Sequence, residues 1–271
     1  MASEFDIKNP AKERMRSGGV ALGMIVRLAR SAEIARVAKT TGHDFIFIDG
    51  QHALFSIETV GHIAQTALAI GIAPLVRVRS CDDPSISLIL DNGATGIIFP
   101  DVSSESDARR AVNACKFPPV GKRSVSAGYP NFDFRPVPLT QAVPALNDST
   151  LVVCMIETVE GLANVEAIAA VDGIDMIAYG HSDLSAQLGV HLDLEHPTFK
   201  AAIRRIAAAC NAHGKLARGS AETEAQIEEY WQLGFKVLNL PGNDVSTYLD
   251  GMKARAARAH ARLKSIGVPT P

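Results

Sequence analysis

Short apolar runs alternate with amphipathic stretches along most of this chain, and the alternation has no compositional break. Eight runs have strand length: Val20–Val26, Asp44–Asp49, Pro74–Val78, Gly96–Phe99, Leu151–Glu157, Ile174–Tyr179, Lys215–Arg218 and Phe235–Leu240. Strands buried on both faces of a parallel sheet read in this near-continuous apolar way. Between them lie segments with helical spacing: SAEIARVAKTT, SIETVGHIAQTALAI, DPSISLILDNG, ESDARRAVNACK, GLANVEAIAAV, HPTFKAAIRRIAAACNAHG and ETEAQIEEYWQLG. Several close on Gly, with the next strand following at once, which is how helices end. Phe55–Thr59 and Ser220–Glu222 read as helix starts with acid in the first turn.

Eight strand–helix units in about 250 residues fit a closed barrel better than an open sheet. The expectation is therefore an α/β fold, a (β/α)8 TIM barrel, spanning residues 1–271 as a single domain. No G-x-G-x-x-G or Walker pattern follows an early strand, which argues against a doubly wound nucleotide fold. Residues 244–266 predict an extra C-terminal helix. Its Val245, Tyr248, Leu249, Met252, Ala256, Ala259 and Leu263 keep helical spacing. Core packing is the first reading of that stripe, and subunit docking is the second.

Composition narrows the function. The 271 residues are 47% hydrophobic, ample for a large core. A net charge of −2 and a sequence pI near 6.4 carry no signature of nucleic acid or of an anionic membrane. Apolar windows such as Leu68–Val78 are broken well before a bilayer span of about 20 residues. The start, MASEFDIKNPAKERM, lacks the apolar centre of a signal peptide. Cys81, Cys115, Cys154 and Cys210 form no C-x-x-C pair, so neither a zinc ribbon nor a disulfide framework is indicated. Cys154 reads as a buried small hydrophobe. A cytoplasmic protein is expected.

Active sites of such barrels form at the carboxyl ends of the strands. Charge gathers there: Asp49 and His52 after strand 2, Arg77 and Arg79 on strand 3, Asp101 after strand 4, and Glu157 after strand 5. His181, Ser182 and Asp183 follow strand 6, Arg218 and Ser220 end strand 7, and Asp91 closes the third helical segment. Each taken alone admits a plain reading as a cap or a solvated loop residue. The pair Glu157 and Asp183 is more specific. Glu157 ends a buried strand, where an unpaired charge is costly. Two carboxylates on adjacent strand ends, with no Cys nearby, make a hard oxygen site for Mg²⁺, Mn²⁺ or Co²⁺. Imine chemistry needs a lysine inside the barrel, but Lys215 and Lys236 begin their strands. A G-x-S-x-G elbow is absent. Ser, His and Asp in 180–183 are loop neighbours, which rarely form a triad.

The segments FIFIDGQHA, PLVRV, LDNGATGIIFPDV, FPPVGKRSVS and MIETVEGLANVEAIAAVDGIDMIAYGHSDLSAQLG resemble the HpcH/HpaI group of class II, metal-dependent 2-keto acid aldolases. The likeness runs from about Gly18 to Leu240. It implies a (β/α)8 barrel with Glu157 and Asp183 as metal carboxylates and His52 as base, paired with Asp91. It also implies that Arg77 holds the keto acid and stabilises an enolate oxygen. Substrates would be a small 2-keto acid of the pyruvate or hydroxypyruvate type and an aldehyde, and the assembly a homo-oligomer, trimer or hexamer. From the residues themselves, Arg77 is expected to lack any adjacent carboxylate.

Three positions depart from the group's usual pattern. Gln51 stands where it has Glu, Met155 where it has Gln two residues before the metal Glu, and His181 where GHSDL replaces G-P-A-D-L or G-P-S-D-L. Residues i and i+2 share a strand face, so Met155 should line the cavity near Glu157. Gln51, Met155, His181 and Ser182 are thus candidate substrate contacts. Two alternatives stand beside the aldolase: a related enolate enzyme (an oxaloacetate decarboxylase or acyl-condensing transferase), and a keto-acid-binding protein without turnover. The stretch from Ser124 to Leu139, rich in Pro and aromatics, reads either as a lid that presents Tyr129, Phe132, Phe134 and Arg135, or as a packed loop.

Overall fold

The eight apolar runs form eight parallel strands, each bounded within two residues of the run read from the sequence. They are β1 (Ala21–Val26), β2 (Phe45–Asp49), β3 (Ala73–Arg77), β4 (Gly96–Phe99), β5 (Leu151–Ile156), β6 (Met176–Tyr179), β7 (Leu216–Ser220) and β8 (Val237–Asn239). They pair in chain order and close through β1 on β8, giving a TIM barrel. The computed structural model describes residues 7, 9–221, 223–240 and 242–270. The chain start through Asp6 and Glu222, read above as part of a helix start, lie outside them.

Burial explains why these runs are strands. β2, β4, β5 and β6 are buried at every position, as a sheet covered on one side by helices and filled on the other requires. One core lies between the strands and the surrounding helices, with Ile46, Ile48, Ile97, Phe99, Ile156 and Ile177 among its members. The other fills the barrel, with Phe45, Phe47, Leu75, Ile98, Met155 and Met176. Cys154 is fully buried, as expected, and burial pushes its thiol well above the ordinary range.

Three helices had no clear signal in the sequence. Pro10–Arg16 starts with Pro at its first turn, and the Asn9 side chain accepts from the Lys12 amide at 3.1 Å. Its Ala11 and Met15 join the barrel-filling core, so the helix stoppers the end away from the rim. Leu139–Ser149 contains Pro144, which ordinarily ends a helix. Ala142 and Leu146 hold it by packing with Phe117, Tyr129 and Phe132. That cluster also settles the state of the long loop. Tyr129 and Phe132 are buried inside it and Phe134 alone of its aromatics is exposed, so the loop is packed on a small core of its own. The third helix, His181–Gln187, turns the GHSDL stretch into a strand–helix junction.

The C-terminal helix runs Asp244–Ser265, and Asp244 is its only buried residue. Core packing, the first reading of its apolar stripe, is therefore corrected. Tyr248, Leu249 and Met252 are 51, 50 and 67% exposed. Asp244 roots the helix by accepting the backbone amides of Arg27, Leu28 and Ala29 at 2.7–2.9 Å.

Candidate active site

A cavity of about 380 Å³ opens at the carboxyl ends of the strands. Residues from seven of the eight strands or their following loops reach it, the arrangement a barrel rim makes possible. The structure brings together in this cavity His52, Arg77, Met155, Glu157, His181, Ser182 and Asp183. Gln51 and Asp91 do not line it.

Asp49 organises one side. Asp49 and Arg77 are cross-strand partners at the ends of β2 and β3, which puts their side chains in reach. Arg77 donates Nε to Oδ1 at 3.0 Å and Nη2 to Oδ2 at 2.7 Å, a two-pronged charge-assisted contact. Arg27 Nε lies 3.1 Å from Oδ2, and the amides of Gln51 and His52 each donate to Oδ1 at 3.2 Å. The expectation that no adjacent carboxylate serves Arg77 is thus wrong: Asp49 does, because parallel pairing places it directly alongside. Burial pushes the Asp49 carboxyl up, but the hydrogen bonds and charge of Arg77, the His52 amide and Arg27 together hold it below its ordinary value. Arg77 keeps Nη1 without a hydrogen bond among the described residues, and its side chain lines the cavity. The same carboxylate fixes the backbone from which the exposed His52 imidazole projects. Asp49 is a positioning residue that the candidate site had omitted, although its place after an aromatic strand was a usable signal.

Asp91 sits elsewhere than expected. Its carboxylate pairs with Arg123, whose side chain is 1% exposed and lies over the Phe117 ring at 4.4 Å. A buried guanidinium requires a counterion, and within this chain Asp91 supplies that rather than a partner for His52. The His52 ring makes no hydrogen bond among the described residues.

Glu157 lines the same cavity from the end of β5, two strands round the barrel from Arg77. It is 2% exposed, and one oxygen accepts the Asp101 amide at 2.9 Å. Asp101 holds a left-handed backbone (φ 54°) to point that amide inward. No cationic side chain lies within 4 Å of Glu157 among the described residues, so burial, joined by the charges of Asp101 and Asp183, raises its pKa. Gly180 makes room for it, since any Cβ there would overlap the Glu157 carboxylate. Asp183 stands in the first turn of the His181–Gln187 helix at the same rim. No group of three or more His, Cys, Asp or Glu capable of holding a metal occurs among the described residues. Glu157 and Asp183 nevertheless fit a hard divalent cation. Both are oxygen donors, one is buried with no counter-charge, and two protein ligands leave positions for substrate and water.

Met155 lines the cavity, as the strand period predicted. Arg218, noted at a strand end but not taken as a site residue, also lines it and is 2% exposed. Its Nε donates to Asn239 Oδ1 at 2.6 Å, and burial pushes its guanidinium down to about 10, still cationic at neutral pH.

Comparison with known proteins places this site in a lineage. The family model described as HpcH/HpaI aldolase/citrate lyase matches residues 23–245. The chain belongs to the HpcH/HpaI family. One relative, the 4-hydroxy-4-methyl-2-oxoglutarate aldolase of Hapsidospora irregularis, is 37% identical over 211 residues, covering 77% of this chain and 78% of its own. Another, the 2-keto-3-deoxy-L-rhamnonate aldolase of Escherichia coli K12, is 33% identical over 255 residues and 93% of each chain. The crystal structure of an HpcH/HpaI aldolase from Desulfitobacterium hafniense DCB-2 superposes with a TM-score of 0.86 at 26% identity, covering 96% of this chain and 98% of that one. The named relatives are aldolases, and the chain is an aldolase of this family. No helix among the described residues is long and apolar enough to cross a membrane.

Proposed function

We propose that this protein is a divalent-metal-dependent aldolase that reversibly cleaves 4-hydroxy-2-keto acids into a pyruvate-type 2-keto acid and an aldehyde. The observation that carries the reading is one cavity lined both by two carboxylates without a salt-bridge partner among the described residues, Glu157 and Asp183, and by an arginine that Asp49 clamps in place. Mg²⁺, Mn²⁺ or Co²⁺ held by Glu157 and Asp183 would supply Lewis-acid polarisation of the keto oxygen. His52, directly or through one water, takes the proton of the C4 hydroxyl. The C3–C4 bond then breaks, C4 leaves as the aldehyde carbonyl, and the bonding pair passes into C2–C3 and onto the C2 oxygen. Arg77 donates its remaining N–H groups to that oxygen as charge develops, while Asp49 keeps the guanidinium from swinging away. The proton held at His52 returns to C3 and completes the 2-keto acid. Met155 and His181 line the same cavity and shape the space around the reacting carbons, with Ser182 beside them.

The protein works as a homo-oligomer, a trimer or hexamer. The support is the C-terminal helix, rooted at Asp244 with Val245, Tyr248, Leu249, Met252 and Leu263 exposed along its apolar stripe, a face suited to a second copy. The free cysteines fit a reducing, cytoplasmic compartment.

The test is a retro-aldol assay with pyruvate detection over a panel of 4-hydroxy-2-keto acids. Chelation should abolish turnover and Mg²⁺, Mn²⁺ or Co²⁺ restore it. Full activity after exhaustive chelation, or a Glu157→Ala protein with normal metal affinity, sinks the assignment.

A further inference from the structure

Among the described residues, Arg218 is the one cavity arginine that neither the aldolase chemistry nor Asp49 gives a task. It rises from β7, four strands round the eight-stranded barrel from β3, so it enters opposite Arg77. Register sets its depth: Met155 pairs with Ala178, and Ala178 with Arg218. The strands of a closed barrel tilt, so this line of pairs slopes toward the amino-terminal end, and the Cα of Arg218 lies about one inward layer below Met155 and two below Glu157. The side chain reaches across the barrel floor until its Cζ is 5.0 Å from the Phe47 ring centroid, and Arg77 approaches the same ring at 5.3 Å. Two guanidiniums from opposite walls thus share one aromatic floor.

Unlike Arg77, Arg218 has no carboxylate within 4 Å among the described residues. Only its Nε is engaged, by the Asn239 amide oxygen, and its two terminal nitrogens make no hydrogen bond among those residues. Asn239 is itself fully buried, and its Nδ2 is a donor without an acceptor. Buried polar groups are nearly always paired, and a buried cation without a counterion is costly to keep. The floor is therefore a cluster of donors lacking an acidic acceptor.

The charges of the cavity say what that acceptor is. Its charged lining consists of Arg27, Arg77, Arg218, Asp49, Glu157 and Asp183. A divalent cation offsets Glu157 and Asp183, and Asp49 offsets one of its two arginines. One clamped arginine and Arg218 remain. The carboxylate of a 2-keto acid neutralises only one of them.

We propose that Arg218 is a specificity-determining residue that binds a second carboxylate, so that the preferred substrates are dicarboxylic 4-hydroxy-2-keto acids, cleaved to a 2-keto acid and an acidic aldehyde. The inference rests on the aldolase reading for the chemistry but on Arg218 alone for the selectivity, and the two are separable by experiment. Binding is measured by calorimetry on the Mg²⁺-loaded protein with 2-oxoglutarate and 2-oxopentanoate, which differ only in a terminal carboxylate and cannot be cleaved because they lack the 4-hydroxyl. Wild type should bind 2-oxoglutarate about 10- to 100-fold tighter, as a charge-assisted contact implies, and Arg218→Met should bring the two ligands within about threefold of each other. Arg218→Gln, which keeps a hydrogen-bonding group for Asn239, serves if the Met variant does not fold. In parallel, cleavage of 4-hydroxy-2-oxoglutarate is compared with that of 4-hydroxy-2-oxopentanoate, and kcat/KM should favour the diacid to the same degree, mainly through KM. Equal binding of the two ligands by wild type, or a preference that survives loss of the guanidinium, overturns the role of Arg218. Cleavage of neither hydroxy acid, with the binding preference intact, overturns the aldolase reading and leaves Arg218 as proposed.

Discussion

Replacing Asp49 with Asn tests the positioning argument most directly, because the side chain keeps its shape and loses only its charge. The carboxylate takes two bonds from Arg77, an ion pair from Arg27 and two backbone amides. Asn retains one oxygen for Nε of Arg77 and the amides, but turns an NH₂ group toward Nη2 and Arg27. Removing one member of a buried pair costs about 3–5 kcal/mol. The Arg77 and Arg27 side chains are 11 and 35% exposed, so water in the cavity offsets part of that. We expect a loss of about 2–3 kcal/mol, which for a domain of this size lowers Tm by about 4–10 °C. With Arg77 free to shift, kcat should fall about 100-fold, the scale of a misplaced reacting group. Calorimetry and the pyruvate-release assay read the two effects separately. The pH dependence supplies a third check. Asp49 has a folded pKa below its ordinary 3.8, so its stabilisation is present above that value and is lost as pH falls through the folded one. The Tm gap between wild type and Asp49→Asn should therefore be constant near neutrality and close in acid. An Asn variant equal to wild type in Tm and kcat, or a gap that persists in strong acid, would falsify the clamp.

Three further outcomes follow from the site and its surroundings. His52→Asn should lower turnover by about 10²–10⁴ while metal affinity is kept, and loss of the metal instead would make His52 a ligand. Gly180→Ala is compatible with the backbone there (φ −96°, ψ 105°), yet its methyl group displaces Glu157, so metal titration should show about 10- to 100-fold weaker binding and unchanged secondary structure. An unaltered metal affinity would mean that Glu157 is not a ligand. Leu249→Ser combined with Met252→Ser should shift the sedimenting species toward monomer, and an unchanged assembly would relieve the C-terminal helix of that role.

The strands were legible because barrel burial leaves a continuous apolar record, which no other force in this chain imitates. Helix Leu139–Ser149 was not, since Pro144 speaks locally against it and the packing that overrides Pro144 comes from Phe117 and Phe132, residues remote in sequence. The same contrast divides the site. Glu157 and Arg77 announce themselves as charges ending apolar strands. Asp91 shows only as the acid closing a helical segment, and its partner depends on where Arg123 folds, a link that no spacing rule supplies. Asp49 was visible as a strand-end acid, while its bond to Arg77 needed the register of β2 on β3. Arg218 was visible as a charge; that it lacks a counterion was not, because isolation is a property of the whole cavity.

Asp244 joins the C-terminal helix to the barrel through the backbone amides of Arg27, Leu28 and Ala29 rather than through their side chains. An amide is the same whichever residue bears it, proline excepted. The joint therefore demands one residue on the helix side and almost nothing of the loop. Arg27 stays free to serve Asp49, and the twenty-one residues that follow Asp244 are released from any duty to the barrel that carries them. Substitutions along that rod can alter what the outer face meets without being felt at the catalytic rim, so assembly and chemistry in this chain are able to diverge independently.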